Sequence, residues 1–118
     1  MKKEFLAIIL ARKNSEGIKN KNLLKFGKKE LFAWPISAAK KSRFIKRIIV
    51  STDSVKISKL AKKYGADAPF LRPKKYAKDN STSYSAIKHC LDFLKKKKLI
   101  YKNFILLEPT SPLTSTKD

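Results

Sequence analysis

Residues Phe5 to Ala11 (FLAIILA) form an unbroken apolar run of strand length. Arg47 to Thr52 (RIIVST) form a β-branched run, and Asn103 to Leu107 (NFILL) a third of the same character. Continuous rather than alternating apolarity means that both faces of each strand are covered, the mark of a parallel sheet. Pro69 to Leu71 is expected to add a short further strand. Between these runs the period changes. Phe32, Ile36 and Ala39 fall on one face of a helix over Leu31 to Ser42, which tolerates Pro35 only in its first turn. Ile57, Leu60, Ala61 and Tyr64 keep the i, i+3, i+4, i+7 spacing, with Asp53 or Ser54 as candidate cap and Gly65 as the stop. Ile87, Cys90, Leu91 and Leu94 repeat the pattern after candidate caps Ser81 and Thr82, and Lys95 to Lys98 oppose the negative end of that helix.

This alternation predicts an α/β fold, a mostly parallel sheet with helices on both faces. In such sheets ligands bind beyond the carboxyl ends of the strands. Three loops leave those ends: Arg12 to Asn22, Asp53-Ser54, and Glu108 to Thr114.

The 118 residues, 42% of them hydrophobic, suffice for one core. No apolar run reaches the ~20 residues that span a bilayer, and Met1 to Glu4 leads into a strand without a signal-peptide h-region, so a cytoplasmic protein with no membrane partner is expected. The single cysteine, Cys90, and single histidine, His89, offer neither an internal disulfide nor a Cys/His metal cluster. Their place in a helical pattern assigns them to core and surface. A net charge of +20 attracts polyanions. Because lysine is spread over nearly every segment, this reads first as a solvated, compositional bias. The alternative is a basic nucleic-acid-binding module with Phe26, Phe32 and Trp34 stacking bases. Against it, Phe32 fits a helical core face and no RNA-binding motif is present.

The first loop lacks both G-x-x-x-x-G-K-[ST] and G-x-G-x-x-G, since Gly17, Gly27 and Gly65 are the only glycines. It nevertheless carries Arg12, Lys19 and Lys21, which can converge on a polyphosphate. Asn14 and Ser15 can donate hydrogen bonds, and Gly17 lets the backbone approach a ligand. In the last loop Pro109 and Pro112 stiffen a turn bearing Thr110 and Ser111. A plain solvated connection and a plain hydroxyl-rich turn remain open for the two loops on these residues alone.

Taken in order, "ILARKNSEGIKNKNL" (9–23), "RIIVSTDS" (47–54), "LRPKKYAKDNSTS" (71–83) and "LLEPTSPL" (106–113) resemble the successive blocks of the acylneuraminate cytidylyltransferase (CMP-sialic acid synthetase) family. The resemblance covers the whole chain. It implies a Rossmann-like, nucleotide-diphospho-sugar transferase-like fold. It also implies an enzyme, a nucleotidyltransferase, that joins CTP to an acidic keto-deoxy sugar, sialic acid or a related nonulosonic acid, with release of pyrophosphate. Carried over by position, Arg12 and Lys21 are catalytic cations at the triphosphate. Ala11, Ser15, Asn22, Arg72 and Ser83 are nucleotide contacts, and Glu108, Thr110 and Ser111 belong to the sugar-acid pocket.

The family has glutamine where this chain has Glu108 and commonly arginine where it has Thr114, which leaves the sugar open among sialic, legionaminic, pseudaminic and deoxyoctulosonic acids. Family members are roughly twice as long. Residues 1–118 therefore read as the amino-terminal, nucleotide-binding part of a single, truncated cytidylyltransferase domain. The resemblance places the Mg²⁺ ligands and the dimerisation segment of the full-length homodimer in the part absent here. An inactive truncated remnant is the further alternative.

Overall fold

The computed structural model describes residues 5–15, 18–76, 83–99 and 101–108. Its strands are β1 (Phe5–Leu10), β2 (Asn14–Ser15), β3 (Ile18–Lys19), β4 (Lys25–Phe26), β5 (Lys29–Glu30), β6 (Ile45–Ser51) and β7 (Asn103–Leu107). Its helices are α1 (Ala33–Lys40), α2 (Val55–Lys63) and α3 (Ser83–Lys96). The three apolar runs form one parallel sheet in the order β6-β1-β7. The most apolar strand, β1, is thus central, where both of its edges and both of its faces are covered.

Alternate residues of β1 feed two cores. Ala7, Ile9 and Ala11 pack with Phe32, Ile36 and Ala39 of the α1 region and with Ile57 and Ala61 of α2. Leu6 and Ile8 pack on the opposite face with Cys90 and Leu94 of α3. Helices on both faces follow, as the pattern predicts. Pro35 stands at the third position of α1, within the first turn, where no intrahelical N–H is lost.

Some local expectations hold and others change. Ser54, not Asp53, caps α2, its hydroxyl accepting the Ile57 N–H at 3.2 Å. Gly65 ends that helix at φ +98, its N–H bonded to Lys62 O and that of Ala66 to Ala61 O. Lys95 and Lys96 lie in the last turn of α3, but Lys97 and Lys98 follow it, and Lys98 adopts φ +62 in the stop itself. Pro69 to Leu71 forms no strand. The parallel bridge lies earlier, between Asp67 and Ile49, through Asp67 N–H to Ile48 O and Val50 N–H to Asp67 O, both 2.8 Å. Pro69 has no N–H with which to extend that ladder. The candidate caps Ser81 and Thr82 lie outside the described residues.

Two small antiparallel hairpins, β2-β3 and β4-β5, are inserted between β1 and α1. In the second, Gly27 takes φ +71 in a two-residue turn. Of the aromatics of the nucleic-acid alternative, Phe32 is fully buried, and Trp34 donates Nε1–H to the Phe26 backbone carbonyl at 3.0 Å beneath the Lys29 ammonium. Phe32 is thus closed to a stacked base.

His89 projects from α3 between the rings of Phe70 and Tyr76. Its Nδ1 is buried without a hydrogen-bond partner. Burial, then the Arg72 charge, lowers its pKa below the ordinary value, with Asp92 opposing. Below about pH 6.5 the unfolded chain therefore takes up this proton before the folded one does. Stability from this source is full above that pH and falls as pH drops toward the lowered folded value. His89→Phe is expected to flatten the decline in thermal midpoint between neutral and mildly acidic buffers. An unchanged slope would assign the decline to other groups.

Candidate functional site at the carboxyl end of the sheet

Where β1 ends, its ladder with β6 runs one residue further, through Ala11 N–H to Ser51 O at 3.0 Å. Ala11 is fully buried, so its methyl belongs to the core and only its backbone reaches the rim. Arg12 is the first half-exposed residue beyond it. The chain then turns through β2 and β3 and returns at Asn20, at φ +56, whose N–H bonds Lys13 O at 3.0 Å. Lys21 opens a 3-10 turn over Lys21–Leu23 and is half-exposed on the same side.

Asn22 explains how this return is held. It is only 5% exposed, and its Nδ2 donates to Arg12 O at 2.9 Å while its own carbonyl accepts from Phe32 N–H at 3.2 Å. One residue, through its side chain and its backbone carbonyl, therefore ties the exit of β1 to the entrance of α1. A buried residue held through both its side-chain amide and its backbone carbonyl gives the loop a defined shape.

Arg72 is 4% exposed. Its backbone N–H bonds Thr52 O at 2.7 Å, and its guanidinium donates from Nε to Ser51 Oγ at 2.9 Å, from Nη2 to Ser51 O at 2.6 Å and from Nη1 to Tyr76 O at 3.3 Å. Burial pushes its pKa down to about 10, with Asp53 attracting and Arg12 repelling the charge. It is thus cationic at neutral pH, and much of its donor fork is engaged with the end of β6. Cys90 lies nearby in the core, where burial pushes its thiol up to about 12 against the pull of Arg72. The protonated thiol is a packing group.

Asp53 accepts the Lys13 N–H on Oδ1 at 2.7 Å, across 40 residues. Neither the charge pattern nor the motifs point to this bond. The sole sequence signal is an acidic residue just past a buried strand, which a cap explains equally well.

A second group stands at the end of β7. Ser83, at the start of α3, donates its hydroxyl to Glu108 Oε1 at 3.1 Å, and both are exposed. The register Ile9↔Leu107 sets Glu108 at the same end of the sheet as Ala11. Arg12, Lys21, Asn22, Arg72, Ser83 and Glu108 accordingly share one rim. Ser15 is placed by its backbone in β2. Thr110 and Ser111, like Gly17, lie outside the described residues. Among the described residues no three His, Cys, Asp or Glu side chains gather as metal ligands. Among them, too, no helix is long and apolar enough to cross a membrane.

Residues 6–116 match the family model described as cytidylyltransferase. The chain is 42% identical over 112 residues to an N-acylneuraminate cytidylyltransferase of Escherichia coli O18:K1:H7, covering 95% of this chain and 26% of that protein. It is 37% identical over 108 residues to a pseudaminic acid cytidylyltransferase of Campylobacter jejuni serotype O:23/36, covering 92% and 47%. To a CMP-N,N'-diacetyllegionaminic acid synthase of Legionella pneumophila it is 36% identical over 107 residues, covering 91% and 46%. In fold it is similar to a CMP:2-keto-3-deoxy-manno-octonic acid synthetase complexed with CTP, at TM-score 0.67 and 18% identity over 89% of this chain and 39% of that one. A cytidylyltransferase from Leptospira borgpetersenii superposes at TM-score 0.65 with 23% identity, over 97% and 44%. The chain thus spans between about a quarter and a half of the length of these curated relatives.

Proposed function

The chain belongs to the cytidylyltransferase family, and from that premise we propose that it forms the nucleotide-binding part of an enzyme that transfers CMP from CTP to an acidic keto-deoxy sugar. The observation that carries this reading is the convergence of Arg12, Lys21 and the Asn22-tied loop at the carboxyl end of β1, on a rim that also holds Ser83 and Glu108. In the proposed reaction the anomeric hydroxyl of the sugar attacks the α-phosphorus. The new O–P bond forms as the bond to the β-phosphate bridge breaks, pyrophosphate leaves with the electron pair, and the hydroxyl proton passes to solvent or a base. Negative charge grows on the non-bridging oxygens and on the leaving group. Fixed cations there stabilise the transition state more than the ground state. Arg12 and Lys21 have this role, and a rigid strand end suits Arg12 because its aim costs little reorganisation.

Ser83 is assigned to the cytidine side and Glu108 to the sugar side. Their mutual hydrogen bond links the two halves of the pocket. A carboxylate beside an anionic sugar repels it unless a cation intervenes, so Glu108 bears on which acid is accepted. Sialic, pseudaminic and legionaminic acids all appear in the names of relatives and form the substrate panel together with deoxyoctulosonic acid. Mg²⁺ belongs to the proposal as a cofactor whose protein ligands lie outside the described residues. Homodimerisation of the longer enzyme is likewise proposed.

Two measurements test this reading. Titration of the chain should show CTP binding that exceeds ATP binding at equal ionic strength, since three phosphates are common to both and only the base differs. Pyrophosphate release from CTP by the longer enzyme should appear with at least one acid of the panel. Indifference to the base combined with no release from any acid would overturn the proposal.

A further inference from the structure

The geometry points to Asp53 as the positioning residue that aims Arg12 at the triphosphate, a role that rests on the nucleotide reading above. The peptide groups around Arg12 are pinned on every side. Ala11 N–H bonds Ser51 O, Arg12 O accepts from Asn22 Nδ2, Lys13 N–H bonds Asp53 Oδ1 and Lys13 O accepts from Asn20 N–H. Of these four anchors only Asp53 contributes a carboxyl group. At 2.7 Å its bond to Lys13 is also the shortest. Hydrogen bonds from backbone N–H groups to carboxylates are among the stronger neutral-donor bonds.

Asp53 is available for this work because its neighbours do the other jobs. Ser54 caps α2, and Thr52 Oγ1 accepts the Ser54 N–H at 3.0 Å. The carboxylate therefore serves neither the helix end nor, among the described residues, an acidic cluster. Its second contribution is charge. Arg12 repels Arg72, and Asp53 attracts Arg72. One carboxylate thus lets two guanidiniums stand at one strand end, the buried one fixing β6 and the outer one facing the ligand. Without it the Lys13 N–H turns to water and the repulsion from Arg72 loses its counterweight, so Arg12 starts from a backbone that can rotate.

The test combines a binding cycle with an amide probe on the same chain. Asp53→Ala is expected to weaken CTP binding about tenfold, and Asp53→Asn, which keeps an acceptor oxygen but no charge, about threefold. In an Arg12→Ala background the Asp53→Ala change should cost less than about twofold, because a positioning residue has nothing left to aim. The exchange rate of the Lys13 amide should rise at least about tenfold in Asp53→Ala and stay near the parent rate in Asp53→Asn. A full additional loss in the Arg12→Ala background, or an unaltered Lys13 exchange rate, overturns the inference. If Arg12→Ala alone leaves CTP affinity intact, the nucleotide reading falls and the aiming role falls with it, while the Lys13 amide still decides whether Asp53 holds the loop.

Discussion

Arg12→Ala is expected to lower CTP affinity roughly 10- to 100-fold, the scale of losing a charge-assisted contact to phosphate at a fixed site. Isothermal titration of CTP, CMP and cytidine against the parent and variant chains measures it. The loss should grow with phosphate number and be small for cytidine. The background is a chain of +20 net charge, which attracts any polyanion. Lys46→Ala supplies the control, since Lys46 is an exposed residue of β6 remote from the rim. A general field would make the two variants equivalent, whereas a built site sets Arg12 apart because its backbone is tied on both sides. Equal losses for the two, or an equal loss for cytidine and CTP, would contradict the assignment of Arg12.

Arg72→Lys is expected to destabilise the fold nearly as much as Arg72→Met, by about 3 kcal/mol, which for a chain of this size corresponds to a drop of about 10 °C in thermal midpoint. The reason is shape. The guanidinium brackets Ser51 with Nε on the hydroxyl and Nη2 on the carbonyl, and reaches Tyr76 O with Nη1. An ammonium is a point charge with donors at one atom, so it cannot span those three acceptors. It would also bring the full cost of a buried cation without the fork that offsets it. Thermal denaturation at neutral pH, where Arg72 is charged with its pKa near 10, gives the answer. Recovery of the parent midpoint by lysine would show that charge alone, offered to Asp53, is what the position supplies.

These two arginines look alike in the sequence, each a cation near a strand end in a family-like block. The structure divides their work. Arg12 follows a buried alanine at the end of the central strand and emerges half-exposed. Arg72 is folded back under the segment 72–76 and spends its donors on β6. Residue type and position in a motif cannot distinguish these, because both are consistent with a nucleotide contact. The two placements differ in burial, and burial is a property of what lies above the residue.

Asp53 and Pro69 mark the same limit. An acid after a strand and before a helix satisfies the local rule for a cap, and so does the serine beside it. Which of the two caps depends on which side chain a distant backbone N–H claims first, here that of Lys13. Likewise Pro69 to Leu71 is apolar enough for a strand, but the ladder is taken up at Asp67, two residues earlier, where an N–H is available.

What the sequence by itself determined is the period of its apolar residues, and through it three parallel strands, the three helices that pack on them and the rim where Arg12 and Lys21 emerge, although β7, at the sheet's edge with Phe104 exposed, is covered less than its apolar run predicts. Period suffices there because each element must bury one face or two, and the spacing of apolar side chains states which. Tertiary structure alone decided the partners: Asn22 on the Arg12 carbonyl, Asp53 on the Lys13 amide, Arg72 around Ser51, Ser83 on Glu108. Each joins atoms 10 to 40 residues apart through one or two polar contacts. Such contacts have no period, and their free energy exists only once the sheet has brought the strand ends together.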